Sequence, residues 1–310
     1  MTQSTSSAPR DPRITEHRNP HTADIDRASP LEIVDLIAAE DARVAPAVAR
    51  QREALAAAIA AAEAALRAGG RVIYAGAGTS GRLGVLDASE IPPTFGADVG
   101  LFVGLIAGGP PALLRAQEGA EDSPEGGATD LRAIAVSDRD FVVGIAASGT
   151  TPYVHGVLHA AKAAGARTAL IACTAPPAAI LGVVDVPIVL IVGPEVVTGS
   201  TRLKAGTATK LALNTISTGA MIRLGKTFGN LMVDLRATNA KLVDRSERIV
   251  TEVTGLPREA ATALLARAGG QVKRALVMHL LDLDADGADR ALAGAGGVIR
   301  RLVEPPPVDA

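Results

Sequence analysis

Residues 76–90 read GAGTSGRLGVLDASE, and the run before them, Arg71-Val-Ile-Tyr-Ala75, is short, apolar and β-branched. Such a run is what a strand buried on both faces of a parallel sheet requires. Gly76, Ala77 and Gly78 are small enough for the chain to turn sharply and pass close to a ligand. Thr79 and Ser80 offer hydroxyls where a helix N-cap belongs, and Arg82 to Ser89 continues in helical character until Pro92 and Pro93. Unpaired amides at a helix start, with the positive end of the helix dipole, bind phosphate. An ordinary strand-to-helix turn fits the same residues. This is not a Walker loop, because no Gly-Lys-Ser/Thr follows. Gly76, Gly78 and Gly81 match the dinucleotide spacing, but no strand-end acid follows about 20 residues on.

Outward from this stretch the pattern repeats. Asp140 to Ala146 is an apolar strand closed by Ala147-Ser148-Gly149-Thr150-Thr151-Pro152, and Tyr153 to Ala164 is the helix after it. Leu101 to Ile106, Arg167 to Ala172 and Asp185 to Val192 read as further strands. A short helix is expected over Pro111 to Glu118, another over Asp130 to Val136, and a long one opened by Gly199-Ser200-Thr201 and running to about Leu224. Before the first strand, Ser29 and Pro30 start Leu31 to Glu40, and Arg43 to Ala68 is Ala-rich and helical up to Gly69-Gly70. Strands alternating with helices imply a parallel sheet of about five strands with covered faces. Ligands of such sheets lie beyond the carboxyl ends of the strands, where the two hydroxyl-rich loops and Glu195 are expected. Residues 1–14 read as a polar tail, 15–250 as the α/β domain, and 251–310 as a three-helix appendage.

Composition narrows the function. The 310 residues carry 31 Lys and Arg against 33 Asp and Glu, a net charge of −2, with no basic stripe, so nucleic acid is not an expected partner. Aromatics are 2% with no Trp, which removes the stacking platforms of single-strand binders. Cys173 is the one cysteine and lies in an apolar run, so no disulfide is expected and the cytoplasm is the expected compartment. Nothing reads as a signal peptide or membrane span.

Two turns rich in Ser and Thr suit a phosphate monoester and need no metal. Their candidate ligands are Gly78, Thr79, Ser80, Ser148, Thr150 and Thr151, with Ser200 and Lys204 at the later helix start and Glu118 and Glu195 as further substrate-binding candidates; Lys204 and Arg202 read equally as anion-steering or as solvated charges. Among carboxylates, Glu90 ends an apolar helix, and Glu118 and Glu121 lie three apart in a Gly-rich segment. Taken singly each reads as a solvated charge or a cap; beside phosphate loops they suit acid–base work. His155 and His159 are spaced for one helix face, but no Glu or Cys cluster supports a metal. No nucleophile elbow or Cys–His pair is present.

The stretches GAGTSGRLGVLDASE, EGAEDS, GIAASGTTPYV, GPEVVTGSTRLKAGTATKLALN and KTFGNLMVDLRATN together resemble the N-acetylmuramic acid 6-phosphate etherases. That family has the sugar isomerase (SIS) fold and is related to the glucokinase regulatory protein. The resemblance implies cleavage of the lactyl ether at C3 by elimination and hydration, with no cofactor. Its two functional glutamates fall on Glu90, as proton donor, and Glu121, to which we assign the base. It further implies a sugar phosphate as the small-molecule partner and a homodimer. A sugar-phosphate-binding regulator or an isomerase using Glu195 are the rival readings. A helix from Ser80 to Glu90 would separate them by about 15 Å. Carbons 6 and 3 of one hexose are only about 5–6 Å apart. A site shared between subunits is therefore expected.

Overall fold

The structure, a computed structural model, describes residues 11–235 and 240–304. Residues 1–10 of the expected tail, 236–239 of the KTFGNLMVDLRATN stretch, and 305–310 of the expected appendage lie outside the described residues.

Ser29 opens α1 (Pro30–Asp41) with a reciprocal cap, its hydroxyl accepting from the Glu32 amide while the Glu32 carboxylate accepts from the Ser29 amide at 2.7 Å. The Ala-rich stretch expected as one helix is two, α2 (Val44–Ala49) and α3 (Arg52–Arg67). At the break, Gln51 turns its side-chain carbonyl to the Val189 amide, 3.2 Å away. Then follow β1 (Val72–Gly76), α4 (Gly78–Phe95), β2 (Phe102–Ile106), α5 (Pro124–Ala133), β3 (Phe141–Ile145), α6 (Pro152–Ala163), β4 (Arg167–Ala172), α7 (Ala178–Leu181), β5 (Val186–Val189) and α8 (Lys204–Arg223). The five strands are all parallel in the order β2-β1-β3-β4-β5. Alternate residues of β1 and β3 face opposite cores. Tyr74, Val143 and Ile145 pack with α3, α4 and α8, while Ile73, Ala75 and Val142 pack with α5 and α6. Gly81 is where α4 meets the sheet: a Cβ there would lie 2.6 Å from Gly76 O and from Ile106 Cγ1, so a larger residue would lift the helix off β1.

Several local expectations are corrected. Thr79 and Ser80 are not N-caps; Ala77 is the cap residue, and both hydroxyls ride in the first turn of α4. Pro92 and Pro93 do not end α4, which runs on to Phe95 because Ile91 and Phe95 are buried in the core and hold the last turn down. The helix expected over Pro111 to Glu118 is only a 3-10 turn at Pro110–Leu113, since Arg82 takes the Ala112 and Leu113 carbonyls at 2.8 and 3.0 Å. The α5 helix starts earlier than expected because Ser123 accepts from the Gly126 amide at 2.9 Å and Pro124 occupies the first position.

Beyond α8, β6 (Thr227–Phe228) and β7 (Leu231–Met232) form an antiparallel pair. Then come α9 (Ala240–Thr254), α10 (Arg258–Arg267), α11 (Val272–Leu280), α12 (Ala285–Gly294) and α13 (Arg300–Val303). One apolar cluster joins Val233, Leu235 and Val250 to Leu264, Leu276 and Ile299. It therefore takes in residues on both sides of the division expected at 250.

Candidate active site

The strand order reverses direction at β1, which is flanked by β2 and β3, and that is where open α/β sheets bind ligands. Gly76 of β1 is in register with Ile145 of β3, so the loops that follow them leave the sheet side by side. This brings the turn holding Gly78, Thr79 and Ser80 and the turn holding Ser148, Thr150 and Thr151, far apart in sequence, to the same edge of the sheet from neighbouring strands. The first turn of α4 has no side-chain cap, which leaves its leading amides available to an anion. In the second loop the Ser148 hydroxyl accepts from the Thr150 amide at 3.2 Å and from the Thr150 hydroxyl at 2.9 Å. Gly149 sits there at φ +69°, and a Cβ on it would lie 3.0 Å from Pro176 Cα, so both conformation and space require glycine. The His155 ring is hydrogen-bonded to the Gly149 carbonyl at 2.9 Å and braces the loop from α6.

The loop between β5 and α8 leads into the same edge, where a Cβ on Gly206 in the first turn of α8 would be 3.6 Å from Thr79 Cγ2. Glu195 in this loop is fully buried, and its two carboxylate oxygens accept from the Lys204 and Ala205 amides at 3.0 and 2.9 Å. It thus caps α8 with its own negative charge. Burial pushes its carboxyl above the ordinary glutamate range, against the pull of those amides and the Lys204 charge. Ser200 is half-buried in the same loop. Lys204 is fully buried and ion-paired with Glu40.

Burial raises the Glu40 pKa, but hydrogen bonds from Lys204 and Asn19 and the Lys204 and Arg43 charges outweigh it, so the net shift is downward. The pair's stabilisation is accordingly full above the ordinary glutamate pKa and is lost as pH falls through the lower folded value. Lys204→Met strands Glu40 without its buried partner and should cost about 3–5 kcal/mol of stability by urea unfolding. Glu40→Leu combined with Lys204→Met should recover most of that. No recovery in the double variant would show that the two do not act as a pair.

The carboxylates fall in two places. A cleft of about 240 Å³ is lined by Gly78, Arg82, Ala107 and the 116–121 segment, and holds exposed Glu118 and Glu121 beside the β1–α4 turn. Glu90, also exposed, lies in a different cleft of about 230 Å³, with Leu83, Leu86, Asp87, Lys210, Leu213 and Asn214. Unbroken α4 joins Ser80 to Glu90, so the two are about 15 Å apart along its axis. A wider groove of about 840 Å³ along α5 and α6 is lined by His155 and His159 and contains none of the candidate phosphate or acid–base residues.

Asp87 was not singled out from sequence. Its carboxylate accepts from Asn214 Nδ2 at 2.6 Å and Ser217 Oγ at 3.1 Å, and burial raises its pKa against those bonds. The signal was an acid three positions before Glu90 on a helix of small and apolar residues, matched by Asn214 and Ser217 on α8.

A family model described as the glucokinase regulatory protein N-terminal SIS domain matches residues 54–162. A relative named N-acetylmuramic acid 6-phosphate etherase from Cronobacter sakazakii is 54% identical over 292 residues, covering 94% of this chain and 98% of its own. One of the same name from Thermosynechococcus vestitus is 54% identical over 266 residues, covering 86% of each chain. Another, from Salmonella agona, is 53% identical over 94% of this chain and 98% of its own.

Proposed function

The chain belongs to the N-acetylmuramic acid 6-phosphate etherase family, and from that premise we propose that it cleaves the lactyl ether of N-acetylmuramic acid 6-phosphate to N-acetylglucosamine 6-phosphate and D-lactate. The observation that carries the reading is the meeting of the two hydroxyl-rich loops at the β1/β3 edge, beside the Glu118/Glu121 cleft.

Amides of the first turn of α4, with the Ser80, Ser148, Thr150 and Thr151 hydroxyls, hold the phosphate. Glu118 and Arg82 shape the cleft beside it. The C2 proton lies α to the aldehyde of the opened sugar, which makes it acidic enough for a carboxylate, and Glu121 removes it. The electrons form the C2–C3 double bond as the C3–O bond breaks. Lactate leaves through the ether oxygen, protonated by Glu90 as it departs, because an alkoxide is a poor leaving group. Water then adds at C3 and a proton returns to C2, so the sum is substrate plus water. Two carboxyl groups of opposite protonation state are sufficient.

Glu90 and the phosphate cannot serve one hexose within one chain at this separation, so the site is completed by Glu90 of the partner subunit in a two-fold homodimer. An isomerase using Glu195 as base is disfavoured by the two amides that its carboxylate already serves. We place the reaction in the cytoplasm. Cys173 is buried and unpaired, and no described helix is long and apolar enough to cross a membrane.

The test is release of D-lactate by the purified protein from N-acetylmuramic acid 6-phosphate; no release under conditions where the protein is folded sinks the reading. A second expectation concerns the phosphate. Unphosphorylated N-acetylmuramic acid forfeits the charge-assisted bonds to a dianion, worth about 3 kcal/mol or roughly 10²-fold in kcat/KM. Equal turnover of the two sugars would remove the phosphate role of Ser80, Ser148 and Thr150.

A further inference from the structure

The α1 helix is well made, but among the described residues nothing covers its Leu31/Val34 face. Its cap and Pro30 fix its start, yet of its 12 residues only Glu40 is buried. Leu31 and Val34 are 71% and 61% exposed on one face, while Ile33, Leu36 and Ile37 on the opposite face are half-buried. An isolated helix of this length is marginal in water, because most helical stability comes from covering an apolar face. Both ends of the segment are fastened to the site. At one end Asn19 Nδ2 donates to the Pro194 carbonyl at 3.3 Å and Thr22 Oγ1 to the Val196 carbonyl at 2.8 Å. At the other, Glu40 pairs with Lys204. Between them, residues 23–39 contain no buried side chain. They form an arm that leaves the ligand edge of the sheet and returns to it.

The same chain carries an apolar surface of the complementary kind. The Glu90 cleft between α4 and α8 is floored by Leu83, Leu86 and Leu213, with Leu86 48% exposed and Lys210 at its rim. On α1 the residues spaced to share a face with Leu31 and Val34 include exposed Asp35, an acid to set against that lysine.

We infer that in the homodimer α1 of each chain lies in the α4/α8 cleft of the other, Leu31 and Val34 against the partner's Leu86, with Asp35 towards the partner's Lys210. The contact is self-complementary, as a two-fold interface must be. It rests on the shared-site reading and supplies its means: an arm anchored where the phosphate loops open draws the partner's Glu90 to that opening.

Sedimentation velocity of the full-length protein tests this without substrate. Wild type should sediment as a dimer. Leu31→Asp with Val34→Asp should weaken the dimer by about 100-fold or more, the scale of a lost central apolar contact. Leu86→Asp should do the same, and Lys210→Glu should weaken it by about tenfold. Far-UV circular dichroism should lose at most the contribution of the 12-residue α1, since all four side chains are exposed. A monomeric wild type, or a dimer indifferent to the α1 changes, overturns the inference. So does dissociation by the α1 changes but not by those at Leu86 and Lys210, which would put α1 on another surface. Global unfolding by the α1 changes, beyond the loss of α1 itself, would mean that Leu31 and Val34 pack within their own chain and overturns it equally. Failure of wild type to release lactate would strike the etherase reading instead and leave these masses interpretable.

Discussion

Glu121→Gln and Glu90→Gln should each lower the rate of lactate release by about 10²–10⁴-fold, the range for a positioned acid or base, while leaving the fold intact. Both side chains are exposed, and no described core cluster depends on either, so loss of activity cannot be traced to loss of structure. The amide keeps the shape and removes the titrating proton. The fall should therefore appear in kcat, with KM for the sugar phosphate little changed, because on the proposed reading the phosphate is held by the α4 and α6 loops and not by either glutamate. Isotope position provides a second reading. Elimination breaks the sugar's C3–O bond, so turnover in ¹⁸O-water should place the heavy oxygen at C3 of N-acetylglucosamine 6-phosphate and leave lactate unlabelled. Label in the lactate alone would mean attack on the lactyl side and would end the elimination mechanism.

The two hydroxyl-rich strand-to-helix turns were legible in sequence because each is a short apolar strand followed by small residues and hydroxyls, a local pattern. That they meet was legible only in kind. The pairing of Gly76 with Ile145 depends on β3 inserting beside β1, a contact between residues far apart in the chain. Where the reading went astray, tertiary contacts had overridden local preference. Pro92 and Pro93 read as stops, but burial of Ile91 and Phe95 keeps α4 going. Pro111 to Glu118 had helical composition, but Arg82 removes two of the carbonyls it needed. Lys204 and Glu195 had the look of ligand-facing charges at a helix start. Their burial and their bonds to Glu40 and to the α8 amides depend on α1 and the 193–200 loop arriving at one place, which no local pattern announces.

Mixing two inactive variants should restore activity. The unbroken α4 helix sets the terms. Its first turn is where we propose the phosphate binds, and Glu90 lies about 15 Å further along. The C6 and C3 positions of one sugar are only about 5–6 Å apart, as bonds near 1.5 Å dictate. A Glu90 folded back on its own phosphate would need the helix to stop near Leu86, and it does not. If each site takes its phosphate loops and Glu121 from one chain and Glu90 from the other, a mixed dimer of Glu90→Gln with Glu121→Gln has one site carrying both defects and one carrying neither. With random exchange half of the dimers are mixed, so about one quarter of all sites are intact and about one quarter of wild-type activity returns. If Glu90 served its own chain, every site would keep one defect and the mixture would stay at the level of its parents. The measurement is D-lactate release from equimolar variants after subunit exchange, against the two variants mixed without exchange. Because the α1 contact proposed above governs exchange, adding Leu31→Asp and Val34→Asp to both variants should abolish the recovery.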